Sequence, residues 1–166
     1  MKLKISIVVF VTVSLVSSTT QTALQDKLVF KPTQRIDKAP LTEVGVFNNK
    51  KFYAGNLVST WSQSLEICHL NGKVAAVIES RDELNKLALK LKYSNEYLPG
   101  YFWTAGHDLV EEGKFQWFHR NSPVDLKLPV KFVESLDRNC VQLHFQGYLF
   151  DWVCDDLKAL PLCQDP

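Results

Sequence analysis

The stretch at residues 139–156, NCVQLHFQGYLFDWVCDD, decides the fold of this chain. Two runs rich in apolar residues are separated by Gln146-Gly147, which predicts an antiparallel hairpin with a two-residue turn. In that register Gln142 faces Asp151 on the polar side of the hairpin. The apolar side then contains three facing pairs, Phe145–Tyr148, Leu143–Phe150 and Val141–Trp152. Because the two strands agree in polarity, we expect a half-buried antiparallel pair.

The chain begins with the features of a secretory signal peptide. Lys2 and Lys4 precede an apolar run at residues 5–16, and small and hydroxylated residues follow it. We assign residues 1–20 to the signal peptide, with cleavage between positions 17 and 23. The apolar run is too short to cross a bilayer comfortably and no second such run follows, so no membrane span is predicted after signal removal.

The remainder of the chain is predicted to form a leader and one domain. Residues 21–42 indicate a leader with little structure, without the heptads of a coiled-coil stalk, and residues 43–166 indicate the domain. Loss of Lys2 and Lys4 reduces 19 basic residues to 17, against 18 acidic residues, which leaves a net charge of −1. This balance argues against a nucleic-acid partner, because binding to phosphates needs an excess of positive charge.

Four cysteines follow the signal peptide, at positions 68, 140, 154 and 163. An even number in a secreted chain predicts disulfides, although four cysteines allow three connectivities and the sequence alone does not choose among them. The hairpin favours a bridge between Cys140 and Cys154, which would leave Cys68 to pair with Cys163. A zinc site is disfavoured because the chain contains no C-x-x-C pair.

The order of predicted elements indicates an α+β fold. A strand is predicted at residues 51–54, and a helix at 60–68 with Ser59 or Thr60 as its cap. Ser80 and Glu83 form the pattern of a capping box before a second helix with leucines at helical spacing. Aromatic strands then follow, at residues 101–104 and 115–118, before an irregular stretch at 121–139.

In this order, these motifs resemble a C-type lectin-like domain over residues 44–164. The segment Tyr101–Gly106 is similar to the family's W-I-G-L motif, and Gly113-x-Phe115-x-Trp117 to its G-x-x-x-W strand; the pattern FWTAGHDL followed by EEGKFQW is also similar to secreted lectin-like proteins of insects. The other matching features are Lys51-Phe52-Tyr53, Thr60-Trp61 leading to Cys68, Glu83 with its leucines, and Cys140, Cys154 and Cys163. The resemblance implies two helices packed on mixed or antiparallel sheets, a long loop region, and the disulfide pairing favoured by the hairpin.

The family's sugar binding through calcium is not expected to persist in this chain. Calcium needs six to eight oxygen ligands. The resemblance places the family's E-P-N or Q-P-D triplet at Leu128-Pro129-Val130, or alternatively at Ser122-Pro123-Val124. Arg138 stands where an acid precedes the cysteine strand, and only Asp151 remains of the W-N-D triplet. One ligand of five survives, so we expect no calcium cofactor.

The sequence therefore predicts a secreted module that binds an extracellular glycan or protein without calcium. Aromatic residues beside charges in the loop at residues 118–139 and in the hairpin are typical of recognition surfaces. The candidate ligand-binding residues are Arg120, Asp125, Glu134, Asp137, Arg138 and Asp151. The alternative is a calcium-dependent lectin for galactose or mannose with an altered site, or a different ion site that uses Glu134, Asp137, Asp155 and Asp156.

Catalysis is not predicted. The four histidines, His69, His107, His119 and His144, belong to no H-E-x-x-H motif, and the chain contains no G-x-S-x-G motif and no Gly-rich phosphate loop. We expect His144 to lie on the polar face of the hairpin.

Overall fold

A mixed β-sheet with two helices packed against it forms the part of the chain that the structure describes. The structure is a computed structural model and describes residues 39–94, 100–125, 127–133 and 135–166. The helices are α1 (Trp61–Leu70) and α2 (Arg81–Tyr93). The strands are β1 (Leu41–Phe47), β2 (Lys50–Gly55), β3 (Val74–Ala75), β4 (Tyr101–His107), β5 (Gln116–Trp117), β6 (Ser122–Pro123), β7 (Val130–Lys131), β8 (Cys140–His144), β9 (Tyr148–Trp152) and β10 (Leu160–Gln164).

The sheet runs in the order β1-β2-β10-β4-β8-β9-β7, with β3 paired to β10 and β5 joining β4 to β6. Two of its pairings are parallel, β10 with β4 and β7 with β9, and the others are antiparallel. The C-terminal strand β10 therefore lies between the N-terminal hairpin and the predicted hairpin. This arrangement confirms the α+β prediction with a mixed sheet.

The first strand begins earlier than the predicted domain boundary at residue 43. In β1, Leu41 and Thr42 already pair with Gly55 and Ala54 of β2. The pairing supplies backbone hydrogen bonds to residues that the sequence assigned to the leader. The predicted signal peptide and the leader up to residue 38 lie outside the described residues.

Local sequence signals place both helices correctly. Thr60 caps α1, and its side chain and that of Gln63 each accept a hydrogen bond from the other residue's backbone N–H, which is a full capping box. Ser80 caps α2 by accepting from the Glu83 N–H at 3.1 Å. The Glu83 carboxylate has a backbone hydrogen bond with Ser80, and it also accepts from the Glu79 N–H and pairs with Lys50.

The core lies where the amphipathic helix α2 meets the sheet. Its leucines at positions 84, 87 and 91 are at most 2% exposed. Two disulfides fix the layers, Cys68–Cys163 between α1 and β10 and Cys140–Cys154 at the base of the hairpin. Both bridges match the predicted connectivity. No helix in residues 39–94, 100–125, 127–133 and 135–166 has the length and apolar character needed to cross a bilayer.

The hairpin itself forms, but its predicted register is wrong by one residue. Strand β8 pairs with β9 through Leu143↔Leu149 and His144↔Tyr148, so the loop contains three residues rather than two. Gly147 closes the loop with a φ of 85°, and its N–H donates to the His144 carbonyl at 2.8 Å. A one-residue shift moves every side chain of one strand to the other face relative to its partner.

The shifted register defines two different faces of the hairpin. One face enters the core and contains Val141, Leu143, Leu149 and Asp151, each at most 1% exposed. The opposite face presents alternating residues of both strands, namely Gln142, His144, Tyr148, Phe150 and Trp152. Gln142 therefore faces Phe150 and not Asp151, and His144 is only 6% exposed, which corrects its predicted place on a polar face.

Candidate functional site

The loop at residues 118–139 joins the sheet through its apolar residues. Val130 pairs with Leu149, and the Pro129 carbonyl accepts from the Leu149 N–H at 2.9 Å. Phe132 stacks against Phe115 with ring centroids 4.0 Å apart. Val124 and Leu128 thus belong to the core, and Val130 and Phe132 pack against it. Phe118, Val133 and Leu136 are exposed instead, as are most of the charged side chains that the structure describes in this loop.

The positions that correspond to the family's calcium triplet do not fit a calcium ion. The Leu128 side chain is buried with 4% exposure, and Val130 packs against the core. Arg138 brings a guanidinium close enough to influence the charge of Asp151. Hydrocarbon and guanidinium offer no oxygen ligand for calcium. Within the described ranges, no three His, Cys, Asp or Glu side chains lie together as a metal site would require.

Asp151, the aspartate that remains of the W-N-D triplet, is buried and hydrogen-bonded to the loop. Asp151 is 1% exposed, and its Oδ1 accepts from the Val133 N–H at 2.8 Å. Burial raises the pKa of the Asp151 carboxyl, and the nearby Asp108 acts in the same direction. The hydrogen bond from Val133 and the charge of Arg138 lower this pKa in part. Asp151 thus ties the loop to β9.

The other predicted ligand-binding residues are dispersed along the loop. Arg120 forms an ion pair with Glu79, ahead of α2. Asp125 accepts from the Lys127 N–H at 2.9 Å and so stabilises its own turn. Asp137 accepts from the Ser135 hydroxyl, which lowers the pKa of this exposed carboxyl. Each of these three side chains therefore interacts with another residue of the same chain. Glu134 lies outside the described residues.

Arg138 is the predicted residue that reaches an accessible aromatic surface. Its guanidinium lies 4.8 Å from the centre of the Trp152 ring, in the range of a cation–π contact. Lys158 approaches the same ring at 5.5 Å. Lys131 lies 3.8 Å from the ring of Tyr148. Three cations therefore border the outward face of the hairpin.

Five rings form a continuous aromatic face on this side of the sheet, which sequence reasoning missed. The ring of Tyr101 lies 4.9 Å from His144 and 5.7 Å from Phe150. His144 lies 4.8 Å from Tyr148, and Phe150 lies 6.1 Å from Trp152. All except His144 are partly exposed. The signal was the alternation Tyr148-x-Phe150-x-Trp152, which the predicted register placed on the buried side.

The comparisons with known proteins agree with this architecture. No family model matches the chain. Salivary C-type lectin 2 of Aedes albopictus is 29% identical over 80 residues, which are 47% of this chain and 53% of that protein. C-type lectin 16 of Aedes aegypti is 26% identical over 120 residues, 66% of this chain and 75% of that protein. The chain thus spans about half the length of the first of these insect lectins.

Solved structures show the same fold. The cow C-type carbohydrate-recognition domain of CD23, solved in the presence of a GlcNAc2Man3 oligosaccharide, has a TM-score of 0.59 and 26% identity, covering 71% of this chain and 88% of that one. A calcium-independent type II antifreeze protein has a TM-score of 0.58 and 21% identity, covering 75% and 89%. Together with the two helices, the mixed sheet and both disulfides, these likenesses show the C-type lectin-like fold and support a C-type lectin-like domain protein.

Proposed function

We propose that this chain is a secreted binding module that recognises an extracellular glycan or protein without calcium. One observation carries the proposal. The positions of the family's calcium triplet are filled by hydrocarbon packed on the core, whereas aromatic rings stay accessible on the neighbouring face of the sheet. Partly exposed aromatic rings bordered by cations are typical of recognition surfaces.

The electrostatics of the loop support binding without calcium. A divalent cation beside Asp151 would compete with the Val133 N–H for the carboxylate and would be repelled by Arg138. A calcium-independent type II antifreeze protein shares this fold, which supports a role without calcium. The predicted signal peptide and the likeness to a salivary lectin support secretion.

The same reasoning supports a non-catalytic role. The relatives are named as lectins. Burial lowers the pKa of both His107 and His144, so both imidazoles are neutral at neutral pH and lie among aromatic rings. His144 Nδ1 accepts from the Gln146 N–H at 3.3 Å, which gives this imidazole a structural role in the hairpin loop.

A glycan array and an extracellular-protein panel, each probed with the mature chain in calcium and again in EDTA, test the proposal. We expect at least one ligand whose binding does not change when EDTA removes calcium. Thermal unfolding of the free protein should likewise give the same midpoint with and without calcium, because a ligand that binds only the folded state would raise the midpoint.

Two results would contradict the proposal. If galactose or mannose glycans bind only in calcium and calorimetry detects heat on calcium addition, the chain is a calcium-dependent lectin with an altered site. If no glycan or protein binds under either condition, the binding role itself is wrong.

A further inference from the structure

A groove of about 330 Å³ lies between β1 and α2, at the edge of the sheet. It is lined by Phe47 of β1 and by Lys86, Leu89, Lys90 and Tyr93 of α2. The four helical residues follow the spacing i, i+3, i+4 and i+7, which places them on one face of α2. Among the five lining residues two are cations, none is an anion, and the other three are apolar or aromatic. The groove therefore combines an apolar floor with positive charge.

Helix α2 is apolar on two opposite sides, and only one of them enters the core. Its core-facing leucines are at most 2% exposed, whereas Leu89 is 56% exposed and Tyr93 is 72% exposed on the opposite side. A helix that packs on a single core needs only one apolar stripe. Isolated exposed apolar residues are ordinary, but these two share a groove with Phe47, whose ring lies 6.1 Å from that of the core residue Phe52. The second stripe is therefore a contiguous apolar surface with its floor anchored on the core.

The lysines at the rim of the groove are accessible to an anionic partner. Lys86 pairs with Asp82 at 2.6 Å, but both side chains are more than half exposed. An exposed ion pair of this kind contributes little to stability, so the lysine can exchange its partner easily. Lys90 forms no ion pair with any residue in the ranges 39–94, 100–125, 127–133 and 135–166. Lysine side chains present apolar stems below a charged end, so both residues can cover the groove and still hold their charge at the rim.

We propose that this groove docks an amphipathic segment of an extracellular protein partner, in which acidic residues flank apolar ones. An apolar side chain of the segment packs on Phe47, Leu89 and Tyr93, as anchors do when a peptide enters a hydrophobic groove. Carboxylates of the segment pair with Lys86 and Lys90, which selects against basic partners. The groove lies at the β1 edge of the sheet, whereas the aromatic face of the hairpin lies towards the β7 edge. The inference therefore goes beyond the binding role proposed above and does not rest on it.

Charge and shape favour such a segment over other occupants. A second copy of this chain, docked groove to groove by two-fold symmetry, would bring its own lysines towards these lysines, and like charges repel. A groove admits the ridge of side chains on a peptide, whereas a bilayer offers a flat surface to the apolar face of a helix that lies on it.

Fluorescence anisotropy with three labelled synthetic peptides, titrated with the mature protein in EDTA, tests the inference. The first peptide is a helix-forming sequence with leucine and phenylalanine on one face and glutamate on the other. The second peptide replaces the glutamates by lysine, and the third replaces the leucines and phenylalanines by serine. We expect the first peptide to bind and the other two to bind at least about tenfold more weakly. Binding of the first peptide should weaken as salt is raised, because the lysines of the groove are exposed.

Three variants of the protein locate the binding surface. Leu89→Gln keeps a good helix former at an exposed position, and Lys90→Glu reverses one charge at the rim, so both should fold as the parent does. Each should weaken binding of the glutamate peptide at least about tenfold. Lys127→Glu is the matched control, because it makes the same change of charge shortly before β7, at the opposite edge of the sheet. This control should bind the peptide as the parent does.

Several results would overturn the inference. If the glutamate peptide does not bind, or binds Leu89→Gln and Lys90→Glu as it binds the parent, the groove is not a docking site for such a segment. Equal binding of the glutamate and lysine peptides would show that charge does not select the partner. A dimer of the parent that Leu89→Gln dissociates, seen by sedimentation, would assign the groove to a second copy. Binding to phosphatidylserine vesicles without binding to the peptide would assign it to a membrane surface. If one variant fails to fold, the other variant and the paired peptides still decide.

Failure of this inference and failure of the calcium-independent role are distinguishable. A glycan or protein that binds the parent and Leu89→Gln equally well in EDTA leaves that role intact when the groove does not bind the peptide. Conversely, loss of the peptide in Leu89→Gln and Lys90→Glu confirms the groove whatever the glycan array shows.

Discussion

The buried ion pair between Lys50 and Glu83 should be a main determinant of stability. Glu83 lies in the first turn of α2 and is 0% exposed, and the Lys50 side chain is 14% exposed. The Lys50 ammonium lies 2.7 Å and 2.9 Å from the two carboxylate oxygens. It also donates to the Val77 carbonyl at 2.7 Å. The pair therefore connects β2, α2 and the segment between β3 and α2.

The two single substitutions should have unequal costs. Lys50→Met leaves a fully buried carboxylate with backbone hydrogen bonds from Glu79 and Ser80 in place of its cation, and removal of one partner of such a pair costs about 3–5 kcal/mol. Glu83→Gln leaves Lys50 with the Val77 carbonyl and with Glu79 at 3.2 Å, so we expect about 1–2 kcal/mol. The double variant should be more stable than Lys50→Met alone, because it removes the unpaired charge.

Urea unfolding at pH 7 and pH 5 measures these costs. Burial raises the pKa of Glu83, so protonation favours the folded state and the deficit of Lys50→Met should shrink as the pH falls through the folded-state pKa. Should Lys50→Met cost less than about 1 kcal/mol, or Glu83→Gln cost more than Lys50→Met, this account of the buried charge would be refuted.

Three further predictions follow from the hairpin. Replacing Cys140 and Cys154 by serine opens a loop with a sequence separation of 14, which should lower the free energy of unfolding by about 3 kcal/mol in a denaturant titration; no change would contradict the entropic estimate. Burial and Lys131 lower the pKa of His144, so the stabilisation from its neutral imidazole is complete above about pH 6.5 and is lost as the pH falls through the folded-state pKa. The loss of stability between pH 7 and pH 5 should therefore be smaller in His144→Gln than in the parent protein. An equal loss in the two proteins would contradict this prediction. Burial raises the pKa of Asp151, so the parent should gain stability relative to Asp151→Asn as the pH falls from 7 to 4, as thermal midpoints would show; a constant difference would reject the shift.

Local signals predicted most of the fold, because they act over a few residues. The capping residues Thr60 and Ser80 bind the first turns of their own helices, and the leucines of α2 repeat within one element. The role of Glu83 could not be predicted in the same way. Its partner Lys50 is 33 residues away in sequence, and only the packing of β2 beside α2 brings the two side chains together.

The residues of the candidate site were predicted less well, because the length of the turn at Gln146-Gly147 was predicted wrongly. Gln146-Gly147 suggested a two-residue turn, but the favoured type I′ turn requires a positive φ at both central residues. Glutamine disfavours that conformation, and Gln146 is not among the residues that have it, whereas Gly147 is. A three-residue loop needs only one such position, at the glycine. The sequence therefore contained the evidence for the observed register.

The register that this turn sets determines which side chains face outward on the hairpin. In the predicted register, Phe150 and Trp152 would face the core beside Leu143, and Gln142 would meet Asp151 among polar groups. In the observed register, Asp151 enters the core, and Gln142 lies between Trp103 and Phe150 on the outward face. The three-residue loop thus exposes the aromatic rings and buries the one aspartate that the calcium triplet retained. The length of this loop sets the register of the hairpin, and the register determines both the burial of Asp151 and the outward position of the aromatic rings.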